Sequence, residues 1–419
     1  MIKDIVVIGG GASGLAASIT AKKRNKDVLL VERENNLGGI LNQCIHNGFG
    51  LDMFKEEYTG PEYAHRFIED FNRQNIDYLL NTTAIKLVKN DGLYEIIITS
   101  KEKGLEKIQT KTVIISSGCY ERTRGQIMMP GDRPQGVITA GSAQRYLNIN
   151  GLLVGKRVFI LGSGDIGLIM ARRMCLEGAE VLGVAEIMPY SNGLNRNIVQ
   201  CLNDFDIPLY LSHTVTKIES DEFKCLKAIT ISEVDERFQP IKNTEMCFEI
   251  DTLLLSIGLI PDITLLDEIE LEKDSLTKSI KINQAYESSE PGLFICGNSL
   301  QVHDLVDNVS KESNRAGNSA ADYLENKVNK RQRIKVLPGK NIVYVTPQYI
   351  DFGWIFKDLI INFRASKKIE KAVIKVYQKE ELIYQKRRTF VVPSEMETIS
   401  FSYQELKKDE DITVELEEV

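Results

Sequence analysis

Gly9, Gly11 and Gly14 stand at a spacing suited to gripping a phosphate, and Gly162, Gly164 and Gly167 repeat it. In such a G-x-G-x-x-G turn the first glycine makes a tight bend and the second lets the backbone approach a pyrophosphate. The third lets the following helix pack against the preceding strand. The helix N-terminus, with about half a positive charge, then faces the phosphates. Each cluster is answered by an acid at the end of the next apolar run, Glu32 in LLVERE and Glu186 in VLGVAE. A carboxylate there can accept hydrogen bonds from both ribose hydroxyls of an adenine dinucleotide. At the second site an acid would also repel a ribose 2′-phosphate, and the IMPYSN that follows Glu186 holds no Arg or Lys. That favours NADH over NADPH.

The elements needed to position these residues are legible around them. Residues 4–31 read as apolar strand, glycine turn, small-residue helix and apolar strand, and residues 157–185 repeat the plan. Continuous apolar runs of this kind suit parallel strands buried on both faces. Two βαβ units imply two doubly wound modules. Between them, Tyr78–Leu80, Ala84–Val88, Tyr94–Ser100 and Ile108–Ser116 are short strand-like runs broken by Asn90-Asp91-Gly92 and Gly104, which predicts an antiparallel meander. Runs at 209–218, 226–233 and 247–257 repeat that texture after the second unit. PGLFICG at 291–297 predicts another buried strand and 309–325 a helix, while 327–335 is a basic, polar junction. Beyond it, 341–419 is β-rich and predicts a separate small domain.

Composition narrows the function classes. A chain of 419 residues allows about three domains at roughly 150 residues each. With 43% hydrophobic and 26% charged residues, neither a disordered chain nor a fibre is expected. A net charge of −7 offers no general attraction for nucleic acid. No run of about 18 apolar residues suggests a transmembrane segment, and the N-terminal MIKDIVVIGGG lacks the pattern of a signal peptide, so a cytoplasmic protein is expected. Seven cysteines show no CxxC pair and no metal-ligand spacing, so no metal site is expected.

Taken in order, GGGASG with Glu32, LGG at 37–39, VIISSG at 113–118, GSGDIG at 162–167, LLLSIGLIPD at 253–262 and PGLFICGN at 291–298 make a specific set. Over roughly residues 1–333 the chain resembles the two-dinucleotide-binding flavoproteins of the pyridine nucleotide–disulfide oxidoreductase superfamily. The resemblance implies an α/β fold with two Rossmann-like domains, the NAD domain inserted in the FAD domain, plus a small C-terminal β-rich domain. The corresponding segments are 1–120 and 260–333 for FAD, 121–259 for NAD, and 334–419 for a β-sandwich-like tail. It implies FAD at the first glycine cluster and NAD(H) at the second, with NADPH the weaker candidate. The cofactor-binding candidates are Gly9, Gly11, Ala12, Ser13, Gly14, Glu32, Arg33, Gly38, Gly39, Gly118, Gly162, Gly164, Asp165, Gly167, Glu186, Gly258, Gly297 and Asn298.

Two departures matter. Disulfide-reducing members carry a cysteine pair after the LGG motif, where this chain has Cys44 alone. The family's usual Gly-Asp before the last helix is Gly297-Asn298 here, an amide that can still hydrogen-bond a hydroxyl or phosphate. LGGILNQCIHNGFG, the SSGCYERTRGQ stretch, GNSLQVHDLVD and the tail VVPSEMETI are similar to flavoproteins associated with glycerol-3-phosphate dehydrogenase. They are more distantly similar to subunits of sarcosine- and opine-type oxidases. That similarity implies a redox subunit working with a partner flavoprotein, and leaves a homo-oligomer open.

Three residues are catalytic candidates. Cys44 could act as a redox thiolate or merely line a pocket. His46 lies in the same loop and could donate to a flavin edge or a substrate. His303 follows the PGLFICGN strand, where ligands sit in an open parallel sheet, and could handle the proton taken up with a hydride. The leading expectation is an FAD-dependent oxidoreductase exchanging hydride with NAD(H). The alternatives are a stand-alone NADH oxidase or peroxidase using Cys44, and an assembly subunit whose cofactor is structural.

Overall fold

The computed structural model describes residues 2–328, 332–403 and 406–418. The chain forms two compact units: one runs to Cys119 and resumes at Pro261, and the other spans Tyr120–Ile260. Part of the basic junction at 327–335, residues 329–331, lies outside the described residues.

In the first unit, strand Ile2–Ile8 pairs in parallel with Val28–Val31, placing Val7 beside Leu30, and on its other side with Gly104–Ile115. Ile5, Val6 and Val7 are fully buried, as an uninterrupted apolar run flanked on both faces requires. Helix Ala12–Lys23 crosses between the first two strands and packs on helix Val306–Leu324. That helix pair approaches closely, since a Cβ on Gly317 would meet the Ala17 carbonyl at 2.5 Å.

The expected meander is real but smaller than its sequence pattern. Thr82–Asn90, Leu93–Ser100 and the first part of Gly104–Ile115 pair antiparallel. Tyr78, expected among them, belongs instead to Asp77–Leu79, which pairs in parallel with Val28–Val31. The long strand Gly104–Ile115 changes partners along its length. Its early residues meet Leu93–Ser100, and its apolar end, Val113–Ile115, lies between Ile2–Ile8 and Leu293–Ile295. The reason is compositional: residues 105–111 (LEKIQTK) are mostly polar, whereas VII at 113–115 is wholly apolar and buried.

The tail is two packed sheets over one apolar core. The larger has the order Tyr349–Asp351, Arg333–Pro338, Ile412–Glu418, Ile369–Gln378, Glu381–Val391; the smaller, Ile342–Thr346, Asp358–Ala365, Met396–Ser402. Within the first unit it is tied to the remaining part by more than chain connectivity. Trp354 is buried in the core of the first unit and donates to Glu287 at 3.1 Å.

The second unit has a five-stranded parallel sheet in the order Val137–Thr139, Thr252–Leu255, Arg157–Leu161, Glu180–Glu186, Leu209–Leu211. Helix Asp165–Leu176 follows its central strand. An antiparallel three-stranded sheet, His213–Ser220, Leu226–Glu233 and Met246–Glu249, completes it. Both units are thus α/β with Rossmann-like sheets. Among the described residues no helix is long and apolar enough to cross a membrane.

Candidate functional site

Gly9, with φ +106°, turns the chain out of the first strand; a Cβ there would meet the Ser116 carbonyl at 2.4 Å. A Cβ on Gly14 would meet the Gly9 carbonyl at 1.8 Å, so helix and turn touch. Gly11 is different. Its Cβ would find nothing nearer than Gly39 Cα at 3.9 Å, so the protein's own packing does not demand glycine there. Gly11 is also the N-cap of helix Ala12–Lys23, which has no side-chain cap. The first-turn N–H groups are therefore left for an external acceptor. An open cradle before bare helix-end donors fits a pyrophosphate.

Glu32 stands behind this turn, 6% exposed. Its Oε2 accepts from the Gly10 N–H at 2.5 Å and its Oε1 from the Glu34 N–H at 2.8 Å. Two acceptor sites remain, enough for a pair of ribose hydroxyls. Arg33 beside it is exposed. Gly38 and Gly39 both have positive φ, and a Cβ on Gly39 would meet Gly11 Cα at 2.9 Å, so the LGG motif lies against the cradle. Ala12 and Ser13 form the first helical turn. Ser13 Oγ lies 2.7 Å from Ser313 Oγ and 3.2 Å from Cys296 Sγ, which draws the 296–298 segment in. Gly297 (φ +67°) rests on Ser13, and Gly118 (φ +77°) ends the VIISSG strand.

Around Asn298 the site carries buried polar groups. Asn298 Oδ1 accepts from the His303 N–H at 3.1 Å, and its Nδ2 lies 3.7 Å from Cys119 Sγ. The His303 ring is enclosed, with Nε2 3.2 Å from Glu312 Oε2 but not aligned for a hydrogen bond. Glu312, also buried, accepts from the Gly297 N–H at 2.7 Å and from Gln301 Nε2 at 2.8 Å. Glu312 is a residue that sequence reasoning did not single out. Asp307 accepts from the N–H groups of Gly50, Asp52 and Met53 at 2.7–3.1 Å, anchoring the loop beyond Cys44 to the last helix.

The other two catalytic candidates lie in the loop after the LGG motif. Cys44 Sγ donates to the Ile40 carbonyl at 3.3 Å, and burial pushes its thiol up to about 12. His46 packs on Phe49 with ring centroids 5.0 Å apart, its Nδ1 3.0 Å from the Asn47 carbonyl. None of the seven cysteines is in a disulfide. Among the described residues no group of three or more His, Cys, Asp and Glu side chains is arranged to hold a metal.

In the second unit Gly162 (φ +96°) would press a Cβ on the Ser256 carbonyl at 2.1 Å, and one on Gly167 would meet the Gly162 carbonyl at 2.8 Å. Gly164, the N-cap of Asp165–Leu176, meets nothing closer than Ser256 Oγ at 3.4 Å, and that hydroxyl accepts from the Gly167 N–H at 3.0 Å. Glu186 is 3% exposed and accepts from Ser163 N–H and Oγ at 2.9 and 2.7 Å and from Met188 N–H at 3.0 Å. Asp165 accepts from Leu194 N–H and Asn197 Nδ2 at 2.8 and 2.6 Å, so its carboxylate ties down the 194–197 turn. Gly258 has φ +102° with open space where a Cβ would lie.

The chain belongs to the pyridine nucleotide-disulphide oxidoreductase family, which matches residues 3–316. It is 24% identical over 313 residues to hydrogen cyanide synthase subunit HcnB of Pseudomonas protegens, covering 70% of this chain and 65% of that one. It is 24% identical over 267 residues to sarcosine oxidase subunit alpha of a Corynebacterium species, covering 62% and 26%. The match thus spans just under two thirds of HcnB and about a quarter of the sarcosine oxidase subunit. Among solved structures, thioredoxin reductase of T. acidophilum superposes with a TM-score of 0.63 at 21% identity, covering 76% of this chain and 98% of that one. Members of the family bind FAD and NAD(P)H.

Proposed function

We propose that this chain is a redox subunit that exchanges hydride between NAD(H) and FAD. The observation that carries the reading is the Gly11 cradle: an open glycine at an uncapped helix end, backed by the buried Glu32 carboxylate. The second cluster repeats the device with Gly164 and Glu186. FAD held at the first cluster supplies two-electron chemistry that no side chain of this chain has. The residues' part is to bind and orient: N–H groups of the first turn at the pyrophosphate, Glu32 at a ribose. Hydride exchange depends on such positioning with water excluded. Glu186, buried and negative, supports a preference for NADH, because a 2′-phosphate would meet its charge.

The other half-reaction, in this proposal, is with a partner flavoprotein resembling glycerol-3-phosphate dehydrogenase. Support comes from the motifs similar to that group and from relatives that are themselves named as subunits. The thiol of Cys44, pushed up to about 12, weighs against a stand-alone peroxidase, which needs a thiolate. Anaerobic addition of NADH tests the reading. Bleaching of the flavin's visible band supports it, and an unchanged band favours a structural flavin.

A further inference from the structure

Within the first unit, a cavity of about 270 Å³ opens between helix Val306–Leu324 and the β-rich tail. It is lined by Tyr286 and Arg315 on one side and by Thr346, Phe356, Lys357 and Ile360 on the other. None of these residues belongs to either glycine cluster. Thr346 is 1% exposed, and its Oγ1 has no hydrogen-bond partner. A buried hydroxyl left unpaired is costly, and an occupant able to hydrogen-bond would relieve it.

Arg315 and Lys357 are exposed, and among the described residues neither has a carboxylate within ion-pairing distance. Burial pushes the Tyr286 phenol up to about 12, so it keeps a proton to donate. Tyr286 adopts φ +64°, a left-handed conformation that a bulky aromatic takes only when its surroundings impose it. Asp358 lines the same cavity, so two cations face one carboxylate. Phe356 and Ile360 supply an apolar wall.

We infer that this cavity binds a small organic anion, a carboxylate or phosphate monoester on an apolar body. Arg315 and Lys357 would hold the charged head, and the Tyr286 and Thr346 hydroxyls would complete its hydrogen bonds. At about 30 Å³ for each water-sized unit the space holds roughly nine, enough for a ring bearing one charged group.

The single tryptophan is a built-in reporter, because Trp354 lies 6.3 Å from Phe356 between ring centroids. Benzoate, phenyl phosphate and neutral benzamide are titrated into the full chain carrying its flavin, at fixed low ionic strength. The expected result is a saturable change in tryptophan emission with at least one anion and none with benzamide. Whichever anion saturates identifies the head group as carboxylate or phosphate. The double variant Arg315→Gln, Lys357→Gln should bind about tenfold or more weakly, and Thr346→Val should weaken binding without disturbing either exposed cation. No saturation with either anion up to about 10 mM would overturn the inference. So would unchanged affinity in the double variant, or binding that shifts the flavin's visible band and survives both substitutions.

Discussion

Arg364 in the β-rich tail and Asp304 in the loop after strand Leu293–Ile295 meet at 2.5 Å, although 60 positions separate them. The same guanidinium donates to the carbonyls of Val302, Pro393 and Ser394 and to the Tyr344 hydroxyl, at 2.8–3.2 Å. All five of its N–H donors are thereby placed. The second Asp304 oxygen accepts from the Met396 N–H at 2.7 Å. His303 is held between two anchored residues, Val302 and Asp304, so the tail fixes the loop that carries a catalytic candidate.

Replacing Arg364 by Ala should therefore cost more than a surface ion pair would. It strands a largely buried carboxylate and three carbonyls, a loss of about 2–4 kcal/mol. Arg364→Lys should recover little of this, since an ammonium cannot reproduce the planar fork. Denaturant unfolding followed by flavin release checks it, and a midpoint equal to wild type would show the clamp to be idle.

Gly11→Ala and Gly14→Ala should part company. The Gly11 substitution adds a methyl in ordinary contact with Gly39 Cα at 3.9 Å, so the chain should fold normally yet lose its flavin. At Gly14 the methyl would sit 1.8 Å from the Gly9 carbonyl, so folding itself should fail. Circular dichroism and the ratio of flavin to protein absorbance separate the two. A Gly11→Ala protein that retains full flavin would contradict the cradle.

Glu32→Gln keeps the shape of the side chain but removes its charge. It should weaken flavin retention by about 10- to 100-fold, the range expected when charge-assisted hydrogen bonds are lost. Dialysis against increasing salt, followed by absorbance, would measure it. For Glu186→Gln the expected change is selective. NADPH should gain relative to NADH, read as the ratio of the two KM values for flavin reduction.

For Cys44 the sign of the pH dependence follows from its raised thiol. Below about pH 12 the folded protein keeps the proton, so alkylation by iodoacetamide should be slow at pH 8 and quicken toward that value. The unfolded chain releases the proton earlier, so this group's contribution to stability is full at neutral pH. It is lost as pH climbs above the ordinary thiol range. Exposed Cys225 and Cys247 should react first, which peptide mass spectrometry resolves. Rapid alkylation of Cys44 at pH 7 would revive the thiolate reading.

Much of the fold and of the two glycine turns was legible because strand, glycine turn, helix and acid lie within about thirty residues of one another. Gly9 to Glu32 and Gly162 to Glu186 are local patterns with a physical reason at each position. What escaped depends on distant pairing. Tyr78 looks like its antiparallel neighbours, and only the partner it meets makes its strand parallel. Glu312 and Arg364 carry no local signal, since their importance comes from Gly297 and Asp304 in other segments. Cys44 was ambiguous for the same reason: the chain around it names a loop, while its protonation depends on what encloses the sulfur.

The most direct measurement is stoichiometric NADH added to the flavin-loaded chain under argon, with NADPH in a parallel cell. Hydride exchange with NADH predicts prompt bleaching of the visible flavin band, slower bleaching by NADPH, and the same NADH rate in Cys44→Ser. A flavin that stays oxidised with both nucleotides would contradict it.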